Sequence, residues 1–81
     1  PFNPTTHISY SLSANTDVKL SVFNVQGQEV RNLVDTFQSA GLYEITWDAT
    51  DKNDMKVPSG LYICRLIAGN RQLVTKMNLL N

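Results

Sequence analysis

The chain has 81 residues, of which 42% are hydrophobic and 17% are charged. A chain of this length and apolar content is expected to form a single domain with one core, and disorder is not expected. Seven basic and seven acidic residues give a formal net charge of zero. Because no net charge draws the chain to polyanions, nucleic acid and acidic membrane surfaces are disfavoured as partners.

The cysteine content and the hydrophobic runs set further limits. Cys64 is the only cysteine, so an internal disulfide is excluded, while the cellular compartment stays open because β-sandwiches can dispense with disulfides. No stretch approaches the roughly 20 apolar residues that cross a bilayer, so membrane insertion is not expected. The chain begins Pro-Phe without a Met or a signal peptide, and we interpret residues 1 to 81 as a piece of a longer protein.

Alternation of polar and apolar residues predicts two strands near the start of the chain. The first is THISYSL at 6 to 12, and the second, after a turn, is VKLSVFNV at 18 to 25. Gln-Gly-Gln at 26 to 28 predicts a tight turn in which Gly27 adopts a positive φ. The inward positions of these strands are Ile8, Tyr10, Leu12, Val18, Leu20 and Val22.

The third segment, EVRNLVDTF at 29 to 37, breaks strict alternation. Val30 and Val34 share one face of an extended chain, whereas Leu33 and Phe37 share the other. The same spacing suits a short helix, but the neighbouring strands favour a bulged strand.

Three more strands complete the chain. LYEITWD at 42 to 48 is followed by a long polar loop at 49 to 60, and strands at 61 to 68 and 71 to 80 flank a hairpin turn at Gly69-Asn70. Leu73, Met77 and Leu79 are predicted to point inward from the last strand. Six short strands at intervals of about ten residues predict an all-β fold, a small antiparallel β-sandwich of six to seven strands, which the residues below make immunoglobulin-like.

Tyr62 and Cys64 stand where an immunoglobulin-type sandwich places the tyrosine of its corner and its second cysteine. Trp47 supplies the aromatic that packs nearby in such folds. Without a second cysteine, Cys64 is interpreted as a small buried hydrophobe. The predicted core consists of Ile8, Tyr10, Leu20, Val22, Tyr43, Ile45, Trp47, Tyr62, Cys64 and Leu66.

Residues for catalysis or metal binding are few. The only histidine, His7, lies on the polar face of the first strand, so no nucleophile-base-acid set is predicted, nor an enzyme, a zinc site or any cofactor. The best cation candidates are four oxygen-bearing side chains of the polar loop, because Ca²⁺ takes about six to eight oxygen ligands. A solvated turn whose side chains cap their own backbone is the preferred alternative. These candidates are Asp48, Asp51, Asn53 and Asp54.

Four stretches together resemble a known family: PFNPTTHISYSL, VFNVQGQEVRNLV, AGLYEITWDATDKNDMKVPSGLYICRL and TKMNLL. They are similar to the C-terminal sorting domains of the type IX (Por) secretion system, in the branch that shares the immunoglobulin-like fold of the flagellar hook-capping protein FlgD. Ala49 and Met55 stand where many relatives have glycine. Cys64 replaces a more usual aromatic or aliphatic residue.

The resemblance implies a noncatalytic sorting signal covering residues 1 to 81, covalently linked to an N-terminal cargo protein. Its implied partners are the outer-membrane type IX translocon and a sortase-like peptidase, and the cargo is implied to be secreted or held at the cell surface after passing the periplasm. The last strand, with Lys76 on its outer face, is the expected recognition surface. The matching motif positions proposed for sorting are Asn3, Pro4, Gly27, Gly60, Tyr62 and Lys76.

Two other functions remain open at this point. The first is a structural immunoglobulin-like spacer or protein-interaction module, which would persist in the mature protein. The second is a carbohydrate-binding accessory domain, for which Phe2, Phe23 and Phe37 are the only aromatic residues outside the predicted core face.

Overall fold

The structure, a computed structural model, describes residues 5–80. These residues form only antiparallel β-strands, so the all-β prediction is confirmed. The candidates Asn3 and Pro4 lie outside the described residues. The strands are β1 (Thr6–Leu12), β2 (Thr16–Phe23), β3 (Glu29–Gln38), β4 (Gly41–Trp47), β5 (Gly60–Ala68) and β6 (Arg71–Leu79).

The strands build two sheets of unequal size. One sheet pairs β1 with β4, and the other has the strand order β3-β2-β5-β6. The inward residues of both sheets form two hydrophobic clusters, which are bridged by Ile8, Leu33 and Met77 and together make the sandwich core. In residues 5–80 there is no helical segment with the length and apolar character needed to span a bilayer.

Strand β3 is bulged, and this explains why its sequence does not alternate. Two register shifts against β2 leave Leu33 and Val30 without opposite partners. Val30 is buried and Leu33 packs against the core, while Phe37 is largely exposed. The helical alternative for this segment is therefore wrong.

The predicted core residues are less buried in the two-stranded sheet than in the four-stranded one. Of the ten predicted core residues, the six that are fully buried lie on β2, at the end of β4 or on β5. The other four, Ile8, Tyr10, Tyr43 and Ile45, belong to the two-stranded sheet and are half-buried against the same core. A two-stranded sheet leaves its own margins open to solvent. The buried six are Leu20, Val22, Trp47, Tyr62, Cys64 and Leu66.

The last strand departs from the prediction at one position. Leu73 lies opposite the buried Leu66 and so belongs to the inner face of β6, but 64% of its surface is exposed. Met77 is partly buried and Leu79 is buried. The inner face of β6 is therefore covered at its end and uncovered at its beginning.

Candidate interaction surfaces

Tyr62 forms the corner that leads into β5. Its hydroxyl donates a hydrogen bond to the carbonyl oxygen of Pro58 at 2.7 Å, and its ring meets that of Trp47 edge to face, with 5.3 Å between centroids. Burial raises the pKa of the Tyr62 phenol. Gly60 begins the strand with a φ of 154°, in the region that favours glycine. Two proposed sorting residues, Tyr62 and Gly60, thus have architectural contacts.

Gly27 belongs to the turn between β2 and β3, and its φ is 83°. The side-chain Oδ1 of Asn24 accepts hydrogen bonds from the backbone N–H groups of Gln26 and Gln28, both at 3.0 Å. Asn24 was not among the residues predicted for this turn, although an Asn before a Gly-containing turn is a signal for such capping. Gly27 therefore serves the turn, and Asn24 shares that role.

Cys64 is buried in the sandwich opposite Val22 and Thr75. Desolvation raises the pKa of its thiol, so the reactive thiolate is disfavoured. Its environment is that of a packing residue.

Three of the four cation candidates, Asp48, Asp51 and Asp54, accept hydrogen bonds from other groups of the protein. Asp48 accepts a hydrogen bond from the Thr50 hydroxyl, and Asp51 Oδ1 accepts from the backbone N–H groups of Asn53 (2.8 Å) and Met55 (3.1 Å). Within the described residues, no three of the His, Cys, Asp and Glu side chains come together as ligands for a metal ion. The geometry of this loop is that of Asx turns.

Arg31 of β3 contacts this loop and was not among the residues predicted from the sequence. From β3, its Nη1 donates to Thr50 Oγ1 at 3.1 Å, to the carbonyl oxygen of Asp51, and to Asp54 Oδ1 at 2.9 Å. One guanidinium thus fastens the polar loop to the larger sheet. No local pattern predicts this, because Arg31 is about twenty residues from its acceptors.

The outer face of the larger sheet combines apolar and cationic side chains. On β5, Ile63 and Ile67 alternate with Arg65, whose guanidinium carbon lies 4.6 Å from the ring centroid of Phe23. Lys76 of β6 lies beside Ile63 on this face and is exposed. An apolar strip crossed by cations is therefore available to a protein partner.

Comparison with known proteins identifies the type of domain. The family model of the FlgD Ig-like domain matches residues 3–72, which is most of the chain. The chain belongs to the FlgD Ig-like domain family. No curated protein matches the chain.

A solved structure supports the same fold for this FlgD Ig-like domain. The structure of FlgD from P. aeruginosa superposes with a TM-score of 0.71 and 21% sequence identity, covering 93% of this chain. The chain corresponds to 59% of the length of that FlgD chain. The immunoglobulin-like prediction is thereby confirmed. Most of β6, including Lys76, lies beyond the part matched by the family model.

Proposed function

We propose that this FlgD Ig-like domain is a noncatalytic structural and protein-interaction module of a longer protein. Membership of the family carries the proposal. The hydrogen bonds of three polar side chains support it, because they hold turns and loops: Tyr62 the corner, Asp51 an Asx turn, and Arg31 the polar loop.

The outer face of β5 and β6 is the surface we assign to this role. Ile63, Ile67 and Val74 supply apolar area, Arg65 supplies a cation on the inner strand β5, and Lys76 supplies one on the edge strand β6. Interfaces combine such apolar centres with polar rims, and Arg is enriched in them.

Site-specific photocrosslinking in the producing cell tests this role. A photoreactive amino acid at position 76 is expected to yield a crosslinked partner band, whereas the same group at Lys52, exposed on the polar loop, serves as the matched control. Equal labelling from the two positions, or none from position 76, would argue against the outer face as an interaction surface.

A second candidate function is the type IX sorting signal. Its support is the ordered set of motif residues along the chain, together with an exposed Lys76 on an edge strand that lies outside the family match. In this proposal the translocon recognises the domain in the periplasm, a sortase-like peptidase processes it, and the linked cargo reaches the cell surface or the medium.

An export assay separates the two functions. Residues 1 to 81 are fused to the C-terminus of a reporter that carries a signal peptide, in a host with type IX machinery. Delivery to the surface that disappears in a translocon-null strain and weakens in Lys76→Glu supports sorting. If the folded reporter stays in the periplasm while a control signal works, sorting is rejected and the structural module is the function that remains.

A further inference from the structure

The four edges of the sandwich are not alike. Edge strands expose unpaired backbone groups, and proteins commonly protect them with charges, prolines or bulges. Strand β3 has two bulges, and β3, β4 and β6 each carry charged side chains. Strand β1, THISYSL, has no Lys, Arg, Asp, Glu or Pro and runs without a register shift. The charged residues of the other edges are Glu29, Arg31, Asp35, Glu44, Arg71 and Lys76.

The unprotected edge of β1 borders an apolar groove. Within residues 5–80, β1 pairs with β4 alone. A cavity of about 220 Å³ follows its other side and is lined by five consecutive residues, 6 to 10, which is the signature of a strand seen from its edge. We call this cavity the β1–β6 groove. Its remaining lining residues are Leu20, Cys64, Leu66, Leu73, Thr75 and Met77.

The groove continues along the whole strand. A second cavity of about 450 Å³ lies where β1 ends, and it shares Leu66 and Leu73 with the first. The combined groove therefore runs beside β1 from Thr6 to beyond Leu12, the length of one extended segment. Leu73, the inner-face residue that is 64% exposed, lies where the two cavities meet.

The single charged side chain of the groove limits which peptide segments can bind there. Arg71 is the only Lys, Arg, Asp or Glu among the described residues that line either cavity, and it lies at the end beside Leu12. A segment with apolar side chains at alternate positions satisfies the apolar floor, and an acidic residue at one end complements Arg71. A basic segment would find no carboxylate there.

We propose that the β1–β6 groove receives an extended segment of another protein, which adds as a strand to the free edge of β1. Main-chain hydrogen bonds to β1 supply affinity, and alternate apolar side chains over Leu73, Thr75 and Met77 supply specificity. In immunoglobulin-type sandwiches the sheet opposite the four-stranded one commonly has more than two strands, so an added strand completes a usual architecture. The proposal deepens the interaction role proposed above but uses a different surface.

Selection from a phage-displayed library of random peptides of about nine residues tests the groove. We expect enriched peptides with apolar residues at alternate positions and an acidic residue near one end. Their affinity should fall about tenfold or more in Leu73→Lys and in Thr75→Lys, because each places a charge in the apolar groove. Asn78→Lys is the matched control, since Asn78 is exposed on the same strand but lies opposite Leu61 on the outer face.

Hydrogen exchange and sedimentation complete the test. Bound peptide should slow amide exchange in β1, while the free chain sediments as a monomer. Peptides that bind Leu73→Lys as well as the original chain, the absence of any enriched peptide, or a dimer that Leu73→Lys dissociates would each overturn the proposal. The crosslinking result at position 76 concerns the outer face, so the two proposals can fail separately.

Discussion

Tyr43 and Tyr62 make the same hydrogen bond from the starts of two different strands. Each hydroxyl donates to the carbonyl oxygen four residues upstream, Tyr43 to Ser39 at 2.6 Å and Tyr62 to Pro58 at 2.7 Å. Each tyrosine follows a Gly-Leu pair whose glycine has a positive φ. Each sheet thus contains one tyrosine corner of the same type, at the start of β4 in the smaller sheet and at the start of β5 in the larger one.

The two tyrosine hydrogen bonds should contribute differently to the free energy of unfolding. Tyr62→Phe is expected to lower the free energy of unfolding by about 1 kcal/mol, because it removes a bond in a partly buried setting. Tyr43→Phe is expected to cost less than about 0.5 kcal/mol, because its bond is exposed. Urea unfolding followed by Trp47 fluorescence measures both. Equal losses would show that the bond to Pro58 has no special role.

The hydrogen bonds of Arg31 to Thr50 and to the Asp51 carbonyl should contribute more to the free energy of unfolding than its ion pair with Asp54. Asp54→Asn removes the charge while keeping a residue that tolerates the φ of 63°, and we expect a change within about 0.5 kcal/mol that salt abolishes. Arg31→Gln also removes the bonds to Thr50 and to the Asp51 carbonyl, so a loss of about 1 to 2 kcal/mol is expected. Urea midpoints at low and high salt compare them. A larger effect of Asp54→Asn would contradict this ranking.

Ala49 retains a glycine-like backbone. Its φ is 64° although its side chain is fully buried. Ala49→Gly relieves about 1 to 2 kcal/mol of left-handed strain but loses a buried methyl and gains unfolded-state entropy, so a net change within about 0.5 kcal/mol is expected. Ala49→Val should cost more than about 2 kcal/mol, because a branched side chain resists positive φ. Thermal unfolding measures both, and a tolerated valine would contradict the strained conformation.

The Asp48 carboxyl should contribute to acid stability. The hydroxyl of Thr50 donates to it and lowers its pKa below the ordinary value of 3.8. Because the folded-state pKa is the lower one, this stabilisation is present above pH 3.8 and is lost as the pH falls through the folded-state value. Thr50→Val should raise the Asp48 pKa in a carbon-detected NMR titration, and Thr50→Ser should leave it low. An unchanged pKa in Thr50→Val would remove the hydroxyl as its cause.

The sequence predicted the positions of the strands well, but it predicted the burial of their inner faces less well. Alternation located five of the six strands and the inner face of each, whereas the bulges of β3 hid its inner face, and the Tyr-x-Cys spacing predicted the corner at Tyr62. Alternation reports which side a residue faces and not whether anything lies over that side, which is why Leu73 and Tyr10 are more exposed than expected. Arg31 was missed for a related reason, since its contacts depend on a loop about twenty residues away.

The sandwich also has a mechanical polarity. Thr6 lies opposite Trp47, Leu79 lies opposite Gly60, and Trp47 packs on Tyr62, so the first and last strands meet the rest of the fold at the same end. Tension applied between these two points loads the β1–β4 and β5–β6 ladders one rung at a time instead of shearing all rungs together. A pull between these two points is therefore expected to meet less resistance than a pull that shears a whole ladder at once.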